Sequence, residues 1–431
     1  MSRRRRSPGY NPVACCDASV QPLETRRLLA ADVLKESPAT EVVDDSQFVV
    51  TTQNDVTIQT TAAPLISAGT VRVSVNRAGD ILITGDADSN TVFAEITAGK
   101  LLVSGGEAGT MFLGPGKEPV SSLEVPLPAK VRSLTVNLGR GDDSLTAVIR
   151  ADVSIARDVT IETGAGNDSI RVELAGGDVR IGQDLTVDTG NGDDQAQILL
   201  GAGSELTAGR DFSFRGAAGA DRLQIANNAS EAMSSGLTAA IFKSLPNNTA
   251  TALSQQIRAG RDFVVNMGAG NDAAQVLTAE AGRDVAITGG LGDDGLLLSN
   301  VRAKRHVTVS DAEQMVVQNV TTQGSLIIRS GIGNDRLIGR ELNVGRLDVD
   351  TGAGNDVMVL TGPLTIRTSG VLNGGAGANS AYVANPQTKL AVRRATSSLT
   401  ASRAEELLDE VLSGLLPELD GIQPSQAIMS E

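Results

Sequence analysis

The chain has 431 residues, a formal net charge of −14, 41% hydrophobic residues, and only 2% aromatics with no tryptophan. Such an acidic balance argues against nucleic acid as a partner and favours cations or plain solubility. A globular core of this size normally draws buried area from large aromatic rings, so the composition points to an array stacked from Val, Ile, Leu and Ala.

Residues 1–60 carry no sustained periodicity. They read as a basic start, Arg3 to Arg6, followed by a polar, acidic sorting or linker segment. Cys15 and Cys16 are adjacent, a spacing that strains a disulfide ring. No stretch approaches the roughly 18 apolar residues of a membrane span. From residue 61 to 130 short alternating segments recur (VRVSV, ILITG, LLVSG), an irregular β lead-in, with GDADSN at 85–90 as a decayed first turn.

Residues 131–385 contain the informative pattern. A Gly-x-Gly-(Asn/Asp)-Asp motif ends at Asp143, Asp168, Asp194, Asp272, Asp294, Asp335 and Asp356, with degenerate copies ending at Asp221 and Asn379. The steps are 25, 26, 27, 51, 22, 41, 21 and 23 residues. The step of 41 splits into two if Val307–Val309 belongs to a copy whose turn has become SDAEQM. Ten residues before each motif sits a second corner, Asp158, Asp184, Asp211, Asp262 and Asp284, replaced elsewhere by Ser133, His306, Ser325 and Arg346. Between the two corners apolar residues alternate strictly: Val159/Ile161, Leu185/Val187, Phe263/Val265, Leu347/Val349. Period two with one apolar face is a half-buried strand. After the Gly turn the alternation resumes at Ile170/Val172 and Leu296/Leu298, and a third short strand fits segments such as Val179–Ile181.

A unit of two or three strands cannot bury its apolar face alone, whereas stacked units share a continuous core. Glycine supplies positive φ in the turn, and Asn or Asp tolerates the same region. The pattern therefore predicts an all-β fold, a right-handed parallel β-helix or solenoid with rungs of 21–27 residues. Residues 228–257 break the rhythm and read as a helical insertion. Residues 386–431 read as a C-terminal helical cap or tail, with Ser402-Arg403-Ala404-Glu405 as a capping box and an end at Gly414 to Pro417.

GAGNDSIRV from Gly164 and GGLGDDGLL from Gly289 resemble the nonapeptide of repeats-in-toxin (RTX) proteins, which form calcium-loaded parallel β-rolls. That resemblance implies Ca²⁺ held by turn carboxylates and carbonyls, with Asp143, Asp168, Asp194, Asp221, Asp272, Asp294, Asp335 and Asp356 as the candidate ligands. The present chain departs from the family by carrying one motif per rung rather than one every nine residues. LETRRLLAA at 23–31 resembles the LEPR-XLL signature of exported planctomycete repeat proteins, with Thr25 in place of proline. It implies secretion or cell-surface sorting.

The resulting expectation is a secreted or surface-associated structural, adhesive protein that is not an enzyme. Its partners would be Ca²⁺ and cell-surface or extracellular matrix components. The single histidine, His306, admits neither a catalytic triad nor a zinc site. The alternative is a degenerate carbohydrate-active β-helix, of the kind that uses clustered Asp.

Overall fold

The computed structural model describes residues 69–106, 109–116, 118–227, 256–386 and 388–420. Strands dominate. They are joined into one continuous hydrogen-bonded sheet of thirty strands, and one helix accompanies them among the described residues.

From Ser133 onward the chain repeats three strands: Ser133–Arg140, Ser144–Ile149 and Val153–Ile155, then Val159–Ala165, Ser169–Leu174 and Val179–Ile181. Each strand pairs in parallel with its equivalent in the next repeat, residue for residue. Val159 lies opposite Leu185 and Ile161 opposite Val187, Ile170 opposite Ala196, and Val179 opposite Leu206. Equivalent side chains therefore stack in columns. Ile161, Val187, Val265, Ile287 and Val349 are all buried in one core. Deep in that core the Phe212 and Phe263 rings stack at 4.5 Å.

Val307–Ser310 pairs with Val285–Thr288 on one side and Leu326–Arg329 on the other, so it supplies the missing unit of the 41-residue interval. Residues 228–255, including nearly all of the expected helical insertion, lie outside the described residues. Across that interval Leu206–Ala208 pairs with Ile257–Ala259, and Arg222–Ile225 with Ala273–Val276. The extra residues thus leave the register intact.

The lead-in is built from antiparallel pairs, Arg72–Val75 with Ile81–Thr84 and Phe93–Thr97 with Lys100–Ser104. Two of its strands, Asp80–Thr84 and Thr91–Ile96, turn a parallel edge to the first repeat.

Four expectations for the C-terminal part are corrected. The ladder does not stop at 385: Leu390–Arg393 pairs with Gly370–Asn373, and Ser397–Ser398 with Ser380–Ala381. The helix spans Ala401–Asp420 and continues through Gly414 and Pro417. Its N-cap is Thr400 rather than Ser402, because the Thr400 hydroxyl accepts the Arg403 N–H and its carbonyl accepts the Ala404 N–H. Nor does the helix cover an end of the strand stack. Ala404, Leu407 and Val411 pack on an apolar strip along one strand face, formed by Leu297, Val316, Ile338 and Val359. Those four residues alternate with core residues along their strands, so they point to the outer side, and the helix supplies the burial they would otherwise lack.

Candidate functional site

Each Gly-x-Gly turn needs its glycines twice over. Gly164 and Gly166 have φ of +110° and +141°, a region unfavourable to L side chains. A Cβ on either would also be driven into a carbonyl oxygen of the preceding turn, that of Gly139 or Gly141. Glycine at these positions lets successive turns approach closely with the strands in register, although Ala217 takes the first of them in one turn at φ +79°.

That close stacking aligns the motif's acidic residues into two columns with opposite hydrogen-bond directions. In the inner column the backbone N–H of each Asp donates to the carboxylate of the following repeat. Asp143 N–H donates to Asp168 Oδ1 at 2.7 Å, Asp168 to Asp194 at 2.8 Å, and Asp194 to Asp221 at 3.1 Å. Asp221 donates to Asp272 at 2.7 Å and Asp272 to Asp294 at 2.9 Å. After the SDAEQM turn the column resumes with Asp335 donating to Asp356 at 3.1 Å.

In the outer, exposed column the direction reverses. Asn167 N–H donates to Asp142 Oδ1, Asp193 to Asn167 and Ala220 to Asp193. The two acidic positions of one motif thereby tie it to the repeat on either side. A third column runs along the other corner. There Asp211 N–H donates to Asp184 Oδ1 and Asp262 to Asp211, while Arg210, Arg261 and Arg283 pair with Asp184, Asp211 and Asp262. His306 takes an Asp position in this column: its N–H donates to Asp284 and its Nδ1 accepts the Ser325 N–H.

All eight proposed ligands, Asp143, Asp168, Asp194, Asp221, Asp272, Asp294, Asp335 and Asp356, thus fall in the inner column, and all are buried. The column has three further members: the repeat pattern marks Asn379 and the GDADSN turn without giving them a part in it, and it does not single out Glu313. Asn90, in the decayed GDADSN turn, opens the column by donating its N–H to Asp143, and Asn379 closes it by accepting the Asp356 N–H. Glu313 stands in for Asp within SDAEQM, accepting the Asp294 N–H at 2.5 Å. Its extra methylene reaches the same point from a turn lacking the Gly pair, a substitution visible only once the repeats are aligned in space.

The electrostatics of this column are unusual. The second oxygen, Oδ2, of Asp143, Asp168, Asp194, Asp221, Asp272 and Asp294 is buried without a hydrogen-bond partner. Burial pushes Asp143, Asp194 and Asp294 up to about 7, Asp221 to about 8 and Asp335 to about 6, and raises Asp168 and Asp272 as well. Donated N–H groups oppose the shift in most of them, and neighbouring carboxylates add to it in all but Asp272.

The Thr163 hydroxyl adjoins Asp168 but donates its proton to the Thr189 carbonyl at 2.8 Å. Thr189 likewise donates to the Gly216 carbonyl at 3.3 Å. The Thr163 and Thr189 hydroxyls beside Asp168 and Asp194 act against the rise that burial causes. Asp356 differs, since its Oδ2 accepts the Thr351 hydroxyl at 2.7 Å.

Among the described residues no group of three or more His, Cys, Asp or Glu side chains is arranged to hold a metal ion. None of their helices is long and apolar enough to cross a membrane. No protein-family model matches the chain, and neither does any curated protein or solved structure compared with it.

Proposed function

We propose that the chain is a right-handed parallel β-solenoid serving as an exported or cell-surface structural, adhesive repeat protein. The observation that carries this reading is the use of its polar turn residues. Successive repeats spend Asp and Asn side chains on one another's backbone N–H groups along three columns. A side chain committed in this way extends the strand ladder around the corner and stiffens the stack. Secretion or surface sorting rests on LETRRLLAA, which lies outside the described residues. The partners that fit are cell-surface or extracellular matrix components.

Deleting residues 1–60 tests the sorting half of the proposal. Surface localisation should be lost while the melting temperature of the remainder stays within a few degrees. A truncated chain still delivered to the surface would overturn it.

Calcium is a second reading, favoured by the row of free Oδ2 atoms along the inner column. Ca²⁺ takes oxygen ligands at about 2.3–2.6 Å, and successive repeats lie about 4.8 Å apart, so an ion between two Oδ2 atoms would meet both. On this reading Ca²⁺ raises the melting temperature as RT ln(1 + [L]/Kd), and Asp168→Ala removes most of the increment. Millimolar Ca²⁺ without effect on wild-type melting would eliminate it and leave the structural role standing.

A further inference from the structure

Two adjoining cavities, of about 80 and about 50 Å³, lie among the first repeats and the lead-in strands beside them, lined by apolar side chains alone. Six residues border both: Ile96, Leu134, Ala147, Val153, Ile155 and Ile161. Their origin follows from the register. The strand ladder fixes the distance between opposing walls, so the columns of side chains must fill a lumen of set width.

In one column Val136, Ile161 and Val187 precede Phe214 in direct register. The aromatic rings that fill the lumen at Phe212, Phe214 and Phe263 have only aliphatic counterparts in the first repeats. In the opposite wall Ala147 aligns with Val172, Ile198 and Ile225 and is the smallest of the four. Leu134, Ala147, Val153 and Val172 accordingly keep some accessible surface although they belong to the core.

We infer that this paired cavity is a binding site for compact apolar molecules, an apolar gas or a hydrocarbon of about three carbons. A space without polar lining gives water none of the two to four partners it needs, whereas a polarisable apolar guest gains dispersion contacts on every side. Nothing in the proposed structural role requires such a guest, so the site stands independently of it.

The experiment is methyl NMR on the full chain under increasing xenon pressure and, separately, with dissolved cyclopropane. Saturable shifts confined to the methyl groups of Ile96, Ala147, Val153, Ile155 and Ile161 are the expected result. Ala147→Leu should abolish them by filling the space, while leaving the methyl groups of Val265 and Ile287, remote in the stack, unchanged. Should Ala147→Leu fail to fold, Val172→Ile narrows the same space and should reduce the response. Three results would each overturn the inference: an unresponsive wild type, a response spread over surface methyls, or ordered water detected against the Ala147 methyl.

Discussion

Replacing Asp194 by Asn isolates the charge of one inner-column carboxyl at almost constant shape. Asn379 shows that the substitution is geometrically sound, since its Oδ1 accepts a backbone N–H from within the same column and its Nδ2 donates to the Gly374 carbonyl. The sign follows from Asp194 being raised from 3.8 to about 7, chiefly by burial. A raised carboxyl stabilises the fold fully below its unfolded value near 4, and that contribution disappears as pH climbs through about 7. At full strength the rise corresponds to about 4 kcal/mol, and about 2 kcal/mol is a fair expectation for a turn edge so close to solvent.

Wild type should therefore lose stability in urea between about pH 4 and about pH 8, most of it before about pH 7. Asp194→Asn should be nearly neutral at about pH 3.5 and more stable than wild type by about 2 kcal/mol at about pH 8. Equal destabilisation of the variant at both pH values, or a wild type that gains stability as pH rises, would refute the reasoning.

Further outcomes follow from the same geometry. Gly166→Ala should cost at least about 2 kcal/mol, because strain adds to the clash with the Gly141 carbonyl. Gly99→Ala, with positive φ but open space around it, should cost about 1 kcal/mol, and paired thermal melts compare the two. Leu407→Ala should lower stability by about 2 kcal/mol and release the helix from its strip, read as faster amide exchange in 401–411. Deleting 401–431 should leave the strand spectrum intact but expose Leu297, Val316, Ile338 and Val359 to a hydrophobic dye.

The strand repeat was legible because its signals are local. Period-two alternation between two corners ten residues apart identifies the strand Val159–Ala165 and its equivalents without reference to anything distant. The inner column was legible as a set of positions and not as chemistry. Nothing in GAGND distinguishes a carboxylate facing a cation from one accepting the N–H of the preceding repeat; the stacking distance between turns decides that. Asn379 and the GDADSN turn were legible as degenerate copies of the motif, but Glu313 was not, since its equivalence to Asp within SDAEQM is spatial. Exposed strand edges at an open end ask for cover, which favours an end cap or a self-docked helix; the helix docks on the chain's own strand face. The sequence does hold the competing signal: Leu297, Val316, Ile338 and Val359 interrupt what should be a polar outer face, and an apolar strip in successive repeats calls for a lateral partner.

The buried Asp column is a hydrogen-bonded element of the strand stack whose carboxyls burial holds above the usual carboxylate range. The most direct measurement is a pH titration of side-chain carboxyl carbons in protein labelled at aspartate Cγ, recorded without divalent cations. A group of carboxyls, among them Asp194 and Asp221, is expected with midpoints near 7 and 8. If every aspartate titrates below about pH 5, near its unperturbed value, the column is ionised in the folded protein and the claim is contradicted.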